Sequence, residues 1–294
     1  MNYFASLSLI FVVFCTNAVI KRHDVDPDLY KVDNIPDFYV DMPFQGGSVL
    51  IGAQWLVAPA HVIYTFMYDY EDKPIMVHGV ENRISEVILH PEYKREGGKS
   101  SKDEDVPLID QLNNNKDIAL IRLALPVTHI KPIAFYTGND ELGMEITGFG
   151  RGAIGTGTTG EKVDSEGPSL ITYSWYQITK FFSDWAFTQE EYPLHSYKNE
   201  ITEAKGPWLR FTFEQGENAL PLEGTIGSGD SGGAVIIYEN SIPILLGLAA
   251  WREFDGDVKE HIFGKYGETS VVTRVSYFQN WIYETTRERD ITSE

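Results

Sequence analysis

The chain has 294 residues, 43% hydrophobic and 13% aromatic, and a formal net charge of −19 at pH 7. That is enough apolar material to bury one large core or two small ones, and the composition is that of a globular protein. So acidic a chain repels nucleic-acid phosphates, which argues against a nucleic-acid partner; the charge favours solubility and says nothing about fold.

Residues 1–18 read as a secretory signal peptide. Phe4 to Phe14 is an uncharged apolar run too short to span a bilayer, and Thr16-Asn17-Ala18 is a small-residue cleavage site. No Lys or Arg precedes the run. Cys15 is the single cysteine; a lipid anchor on it is disfavoured by the bulky Phe14 before it. Cleavage after Ala18 removes Cys15, leaving a mature chain of residues 19–294 with no disulfide. No later apolar run is long enough for a membrane helix. The expectation is a secreted protein, extracellular or periplasmic, that is free of the membrane once the signal is removed.

Residues 19 to 43 are acidic and contain proline. Asp24, Asp26 and Asp28 alternate there, but the glycine turn and bidentate Glu of a calcium loop are missing. A solvated loop is expected, with no metal or cofactor. Gly46 to Ile51 and Gln54 to Ala58 read as two short strands joined at Gly52-Ala53. His61 then falls just past a strand end, in a loop, where functional residues concentrate. A hydrogen-bonded histidine beneath the surface would look the same.

Val77 to His90 continues the β pattern. Residues 94 to 116 are polar and read as a surface loop. Asp117 stands directly before the apolar run Ile118 to Leu123, so its carboxylate is partly buried and needs a partner; a turn-capping aspartate is the plainer alternative. Another strand closes at Thr147-Gly148-Phe149-Gly150. Gly152 to Gly160, rich in Gly and Thr, reads as a mobile loop without the Gly-Lys-Ser/Thr ending of a phosphate loop. Residues 169 to 213 are aromatic, with short strands and one helical turn expected. Val235 to Tyr238, Ile244 to Ala250 and Val271 to Val275 read as strands, and Ser276 to Thr286 as a terminal amphipathic helix. Many short strands with turn signals indicate a β-barrel or sandwich.

One stretch stands out chemically: Gly227-Ser228-Gly229-Asp230-Ser231-Gly232-Gly233. Glycines on both sides of Ser231 permit a tight turn that can aim two backbone N–H groups beside the hydroxyl, the arrangement that stabilises an oxyanion in acyl transfer. Such a serine needs a base and an orienting acid to be reactive. An ordinary Gly-Ser turn would carry the same residues.

Gly46-Gly47-Ser48 through Ala60-His61, Asp117-Ile118-Ala119-Leu120 and Gly229-Asp230-Ser231-Gly232-Gly233 occur in the order histidine, aspartate, serine. With His90-Pro91-Glu92-Tyr93, Gly148-Phe149-Gly150, Tyr266-Gly267, Thr273-Arg274-Val275 and Trp281-Ile282, they resemble the chymotrypsin/trypsin-like serine protease family over most of residues 44 to 283. Arg22-His23-Asp24-Val25 and Ala219 to Gly224 add a likeness to its cysteine-poor branch. The resemblance implies an all-β fold of two six-stranded antiparallel β-barrels with a C-terminal helix, the active site lying between the barrels. It implies a Ser231 nucleophile, His61 as general base and Asp117 orienting it, with the N–H groups of Gly229 and Ser231 as oxyanion hole. The implied partner is a protein or peptide substrate, and the protein is expected to be a monomer. A catalytically silent homologue acting as a binding module is the alternative. An α/β-hydrolase is disfavoured, because there the histidine follows the serine and a helix follows the nucleophile.

The resemblance also implies that a freed N-terminus, here near Val19, inserts and pairs with Asp230; Lys21-Arg22 stand where glycines usually follow. Gln45 and Val62 replace one disulfide pair as a unit, Gly227 replaces another cysteine, and Pro59 replaces an alanine. The implied substrate pocket has Thr225 at its floor, Ala250-Trp251-Arg252 along one wall and Ser270 opposite. Thr225 offers no counter-charge to Lys or Arg, so no trypsin-like preference is expected. Arg252 and Ser270 narrow the entrance for small or medium uncharged side chains, or Arg252 turns inward to grip an acidic one, or it points to solvent.

Overall fold

A computed structural model describes residues 19–43, 46–64, 73–94, 108–162, 193–253 and 261–291. The expected signal peptide with Cys15, residue Gln45, and residues 169 to 192 of the aromatic stretch lie outside them.

Two large antiparallel sheets dominate. The first has six strands in the order β2 (Tyr39–Asp41), β3 (Gly47–Gly52), β4 (Trp55–Ala58), β7 (Ala119–Leu123), β6 (Val80–Leu89), β5 (Pro74–Val77). The second runs β12 (His195–Glu200), β9 (Glu145–Gly150), β16 (Ala234–Glu239), β17 (Ile242–Glu253), β18 (Thr269–Arg274), β14 (Trp208–Thr212), β13 (Glu203–Lys205), with β8 (Ala134–Phe135) parallel to β17 as an eighth strand. The chain is mostly β, as the motifs imply.

Side-chain alternation explains how the sheets pack. Successive residues of a strand point to opposite faces. Leu50, Leu56 and Ile121 face inward with Val40, Ile75 and Ile84 to fill the first barrel. Their neighbours Val49, Val57 and Leu120 face the other way and meet Phe149, Ala234, Ile236 and Leu248 of the second sheet. Ile146, Tyr197, Phe211, Val235 and Leu246 fill the second barrel. The strands at the junction are therefore apolar on both faces. Helix α3 (Gln279–Ile291), entered through a 3-10 turn at Val275–Phe278, seats Phe278 and Ile282 on that junction. Among the described residues no helix is long and apolar enough to cross a membrane.

Four local expectations are corrected. His61 lies in a short helix, α1 (Ala60–Tyr64), not in a loop; the helix forms where β4 ends and its residues Ala60, Val62 and Ile63 are buried. The segment 94–116 contains α2 (Leu108–Asn113). The Gly/Thr-rich segment forms a hairpin of β10 (Ile154–Thr156) and β11 (Gly160–Lys162), because its glycines allow a backbone approach that side chains would block: a Cβ on Gly155 would lie 2.2 Å from the Gly160 carbonyl oxygen. The acidic N-terminal segment is not a solvated loop throughout. Val19, Ile20, Lys21 and Tyr30 are buried, and β1 (Ile20–Lys21) joins a third sheet in the order β11-β10-β1-β15, with β15 at Gly224–Thr225. Its aspartates remain outside, where Asp24 pairs with Arg22 and Asp28 with Lys31 at 2.7 Å each.

Candidate active site

The junction of the two large sheets brings three distant sequence segments together. α1 carries His61 at the end of β4, and Asp117 lies two residues before β7, the strand paired with β4. Asp117 is buried and makes two contacts with one residue. Its Oδ1 accepts the His61 backbone N–H at 2.8 Å, and its Oδ2 lies 2.6 Å from His61 Nδ1. That pairing places the Nδ1 proton toward the carboxylate and settles the ring's orientation. The backbone of Asp117 is pinned from the other sheet, its carbonyl accepting from Thr273 Oγ1 at 3.0 Å.

Ser231 comes from the second sheet, in the turn before β16. Gly229 and Gly232 have φ of +92° and +81°, backbone that L side chains rarely adopt. The turn is held by Asp230 N–H to the Gly227 carbonyl, Gly233 N–H to the Asp230 carbonyl and Gly232 N–H to the Ala249 carbonyl, at 3.1, 2.8 and 2.8 Å. Neither the Gly229 nor the Ser231 N–H takes part in these bonds. Across the junction, Gly47 N–H donates to the Ser231 carbonyl at 2.9 Å. Gly46 is squeezed between that carbonyl and the Val62 side chain, where a Cβ would lie 2.4 Å from the oxygen and 3.3 Å from Val62 Cγ1. Gly46 thus lies between the Ser231 carbonyl and Val62 of α1.

Asp230 points away from the surface, into a socket without room for a side chain. Its Oδ1 and Oδ2 accept the N–H groups of Gly152 and Gly227 at 2.7 Å each, and a Cβ on Gly150 would lie 2.0 Å from Oδ1. Burial pushes its carboxyl up to about 7, against the pull of those two N–H groups. Val19 is buried and has φ of +59°, a strained value for a β-branched residue. The next residues hold β1 in place: Ile20 is in register with Thr225 of β15 and with Gly155 of β10. Lys21 is also buried, its Nζ makes no hydrogen bond, and burial pushes it down to about 8.

The five expected pocket residues lie on β15, β17 and β18. Thr225 and Ser270 are buried and share a hydrogen bond of 2.6 Å between their hydroxyls. Arg252 on β17 is the register partner of Ser270 on β18, and Trp251 of Val271. Ala250 packs with Trp208 and Val271, and Trp251 lies against Trp208 with ring centroids 4.0 Å apart. Arg252 does not point to solvent. Its Nη2 lies 2.7 Å from Glu161 Oε2 and 3.1 Å from Ser228 Oγ, its Nη1 lies 3.5 Å from Glu268 Oε2, and its guanidinium covers the Phe263 ring. The sequence singled out neither Glu161 nor Glu268. Glu161 sits in the segment read as a mobile loop, and Glu268 is a lone carboxylate before β18, so nothing local marks either one.

No family model matches the chain. It is 26% identical over 260 residues to vitamin K-dependent protein C of Rattus norvegicus, covering 83% of this chain and 47% of that protein. It is 23% identical over 263 residues to serine protease SSP1 of Scolopendra subspinipes, covering 83% of this chain and 74% of that protein. The chain thus spans about half the length of the protein C it matches. Among solved structures it is similar to neuropsin, a serine protease expressed in mouse brain, with a TM-score of 0.54 at 16% identity, covering 87% of this chain and 98% of that one.

Proposed function

We propose that this chain, which belongs to the chymotrypsin/trypsin-like family, is a secreted serine endopeptidase that works as a monomer on protein or peptide substrates, with residues 19–294 as its mature domain. The observation that carries this reading is the doubly bonded His61–Asp117 pair, carried by the sheet whose Gly47 N–H donates to the Ser231 carbonyl of the other.

In this reading Ser231 Oγ attacks the scissile carbonyl while His61 takes the hydroxyl proton. Nδ1 is committed to Asp117, so the proton goes to Nε2. Asp117 holds the ring in that tautomer and stabilises the imidazolium that forms. The tetrahedral oxyanion is received by the N–H groups of Gly229 and Ser231. His61 then returns the proton to the leaving amine, and water resolves the acyl-enzyme by the same steps. Activity falls as His61 protonates, because only the neutral imidazole accepts a proton. Activation in this reading follows from a new ammonium at Val19 pairing with Asp230, whose buried carboxylate has only N–H partners among the described residues. Thr225, whose hydroxyl pairs with that of Ser270, offers no trypsin-like counter-charge of its own.

The test is labelling by a fluorophosphonate probe together with hydrolysis of casein. Wild type is expected to label and to cleave, and Ser231→Ala and His61→Ala each to lose several orders of magnitude of rate, since triad members act as a unit. A folded wild type that neither labels nor cleaves would instead be a silent homologue that binds without cutting. Single variants near wild-type turnover would refute the assigned roles.

A further inference from the structure

Residues 113–117 run from the end of α2 to the carboxylate that meets His61, and most of their anchors lie on the second sheet or just behind it. Asn113 is held by β14: its carbonyl accepts the Trp208 Nε1–H at 2.9 Å, and its side-chain oxygen accepts from Arg210 Nη2 at 2.5 Å. Lys116 Nζ donates to the Tyr277 hydroxyl at 2.9 Å, in the 3-10 turn that enters α3. The Asp117 carbonyl accepts from Thr273 of β18. His61, however, is carried by the first sheet.

Asn115 reaches that sheet. It is only 2% exposed. Its Oδ1 accepts the Lys94 N–H and its Nδ2 donates to the Lys94 carbonyl, both at 2.8 Å. A strand neighbour would exchange the same two bonds. The β6–β7 ladder runs to the pair Leu89 and Ala119, with one more bond from the His90 N–H to the Ile118 carbonyl at 3.0 Å. Past that point the chain turns, the Tyr93 N–H donating to the His90 carbonyl, and the Asn115 amide stands in for the missing backbone partner. The same Oδ1 accepts the Lys116 N–H at 2.9 Å. The Ile118 N–H donates to the Lys116 carbonyl at 2.9 Å, which closes a three-residue turn with Asp117 at its centre. Asn115 therefore holds the first residue of the turn that carries the carboxylate.

We propose that Asn115 is a positioning residue of the triad, tying Asp117 to the sheet that carries His61. The proposal rests on the reading that Ser231 cleaves peptides. Without the amide, the lead-in to Asp117 is tied, among the described residues, only to β14 and the 3-10 turn. A small shift between the sheets then moves Asp117 with one and His61 with the other, and a misplacement of about 1 Å costs on the order of 10²-fold in rate. Losing the amide also leaves the Lys94 N–H and carbonyl without the partners they have now, so the segment does not simply settle back in place.

The experiment measures kcat, KM and the acid limb of kcat/KM for wild type, Asn115→Ala and Lys94→Pro, the last removing one N–H donor to Oδ1 from a different element. Asn115→Ala is expected to lower kcat about ten- to hundredfold, with KM changed by less than about threefold, since Asn115 acts through Asp117. The acid limb should move to lower pH by about half a pH unit or more, because an imidazolium whose carboxylate has drawn back forms only in more acid solution. Lys94→Pro should move both quantities in the same direction by less. A variant that only loses folded molecules lowers kcat and leaves the acid limb where it was. If Asn115→Ala does not fold, Lys94→Pro decides by the same two readouts. Turnover within about twofold of wild type, an unmoved acid limb, or loss of folding in both variants would overturn the positioning role and leave the protease reading intact. A wild type that neither labels with fluorophosphonate nor cleaves would overturn both.

Discussion

Asp117 spends one carboxylate oxygen on the His61 ring and the other on the His61 backbone, so ring and helix are fixed together. Asp117→Asn keeps the volume but offers an N–H₂ where one of those donors arrives, which favours the wrong tautomer. The expected loss is about 10⁴-fold in kcat with fluorophosphonate-accessible Ser231 still in place, read by comparing casein turnover with the unfolding midpoint. A loss of turnover matched by a loss of folding would point to a structural role alone. His195 gives a residue-scale prediction on stability. It is buried, its Nδ1 lies 2.9 Å from the Pro193 carbonyl, and burial together with the Lys21 charge pushes it down to about 4. Between that value and the ordinary histidine value the unfolded chain binds a proton that the folded chain refuses. The stabilisation is therefore present above the unfolded value and is lost as pH falls toward 4, by on the order of 3 kcal/mol. Glu223 and Asp230, both pushed up to about 7 by burial, act in the opposite sense, favouring the fold at low pH and losing that contribution as pH rises toward 7. The informative quantity is the difference between wild type and His195→Leu in urea unfolding from pH 4 to 7: the variant should lack the acid-side loss, and parallel curves would contradict the assignment.

Strand β9 ends at Gly150 directly over the Asp230 carboxylate. A methyl there would lie 2.0 Å from Oδ1, so Gly150→Ala forces Asp230 off the Gly152 and Gly227 N–H groups that seat it. Overpacking of this kind costs about 1–3 kcal/mol, and the displaced aspartate drags the Ser231 turn with it. The expected outcome is a lower Tm and a slower fluorophosphonate reaction together. Gly52→Ala, where the nearest contact to a new Cβ is 3.4 Å, should change neither by much. Equal behaviour of the two variants would show that the socket is not as tight as its geometry. The β10–β11 hairpin works at the same scale. It pairs with β1 on one side and presents Glu161 to Arg252 on the other, so one small sheet joins the N-terminal strand to the end of β17.

The placement of Val19 makes a prediction about the whole molecule. Its φ of +59° exists only while a residue precedes it, and such backbone costs on the order of 1–3 kcal/mol in a non-glycine residue. Cutting the bond before Val19 removes that constraint and creates an ammonium next to β1, which pairs with β15. We expect the active secreted form to begin at Val19 or Ile20, and a chain beginning at Val19 to outpace one that keeps residues 1–18 by orders of magnitude, in proportion to the fraction of molecules with an assembled pocket. N-terminal sequencing of the active protein decides this, and an active form that starts well beyond Ile20 would rule it out. Asp230→Asn should erase the difference between the two forms by depriving the ammonium of its partner.

The fold class and the three catalytic candidates were legible in the chain because they are written locally: alternating apolar strands, a glycine-flanked serine, a carboxylate at the mouth of an apolar run and a histidine after a strand. The order of those motifs carried the family likeness even without its cysteines. Other features were not legible, because they depend on which distant segments meet. The helix at His61 follows from the packing of Ala60, Val62 and Ile63 into the first barrel. The burial of Val19 to Lys21 follows from pairing with β10 and β15, since a two-residue strand has no pattern of its own. The direction of the Arg252 side chain was open in the sequence. It is decided by two carboxylates 91 residues before it and 16 after it, brought to its guanidinium by a hairpin and a strand end. Ion pairs between separate elements leave no periodicity in the sequence; the fold alone sets them.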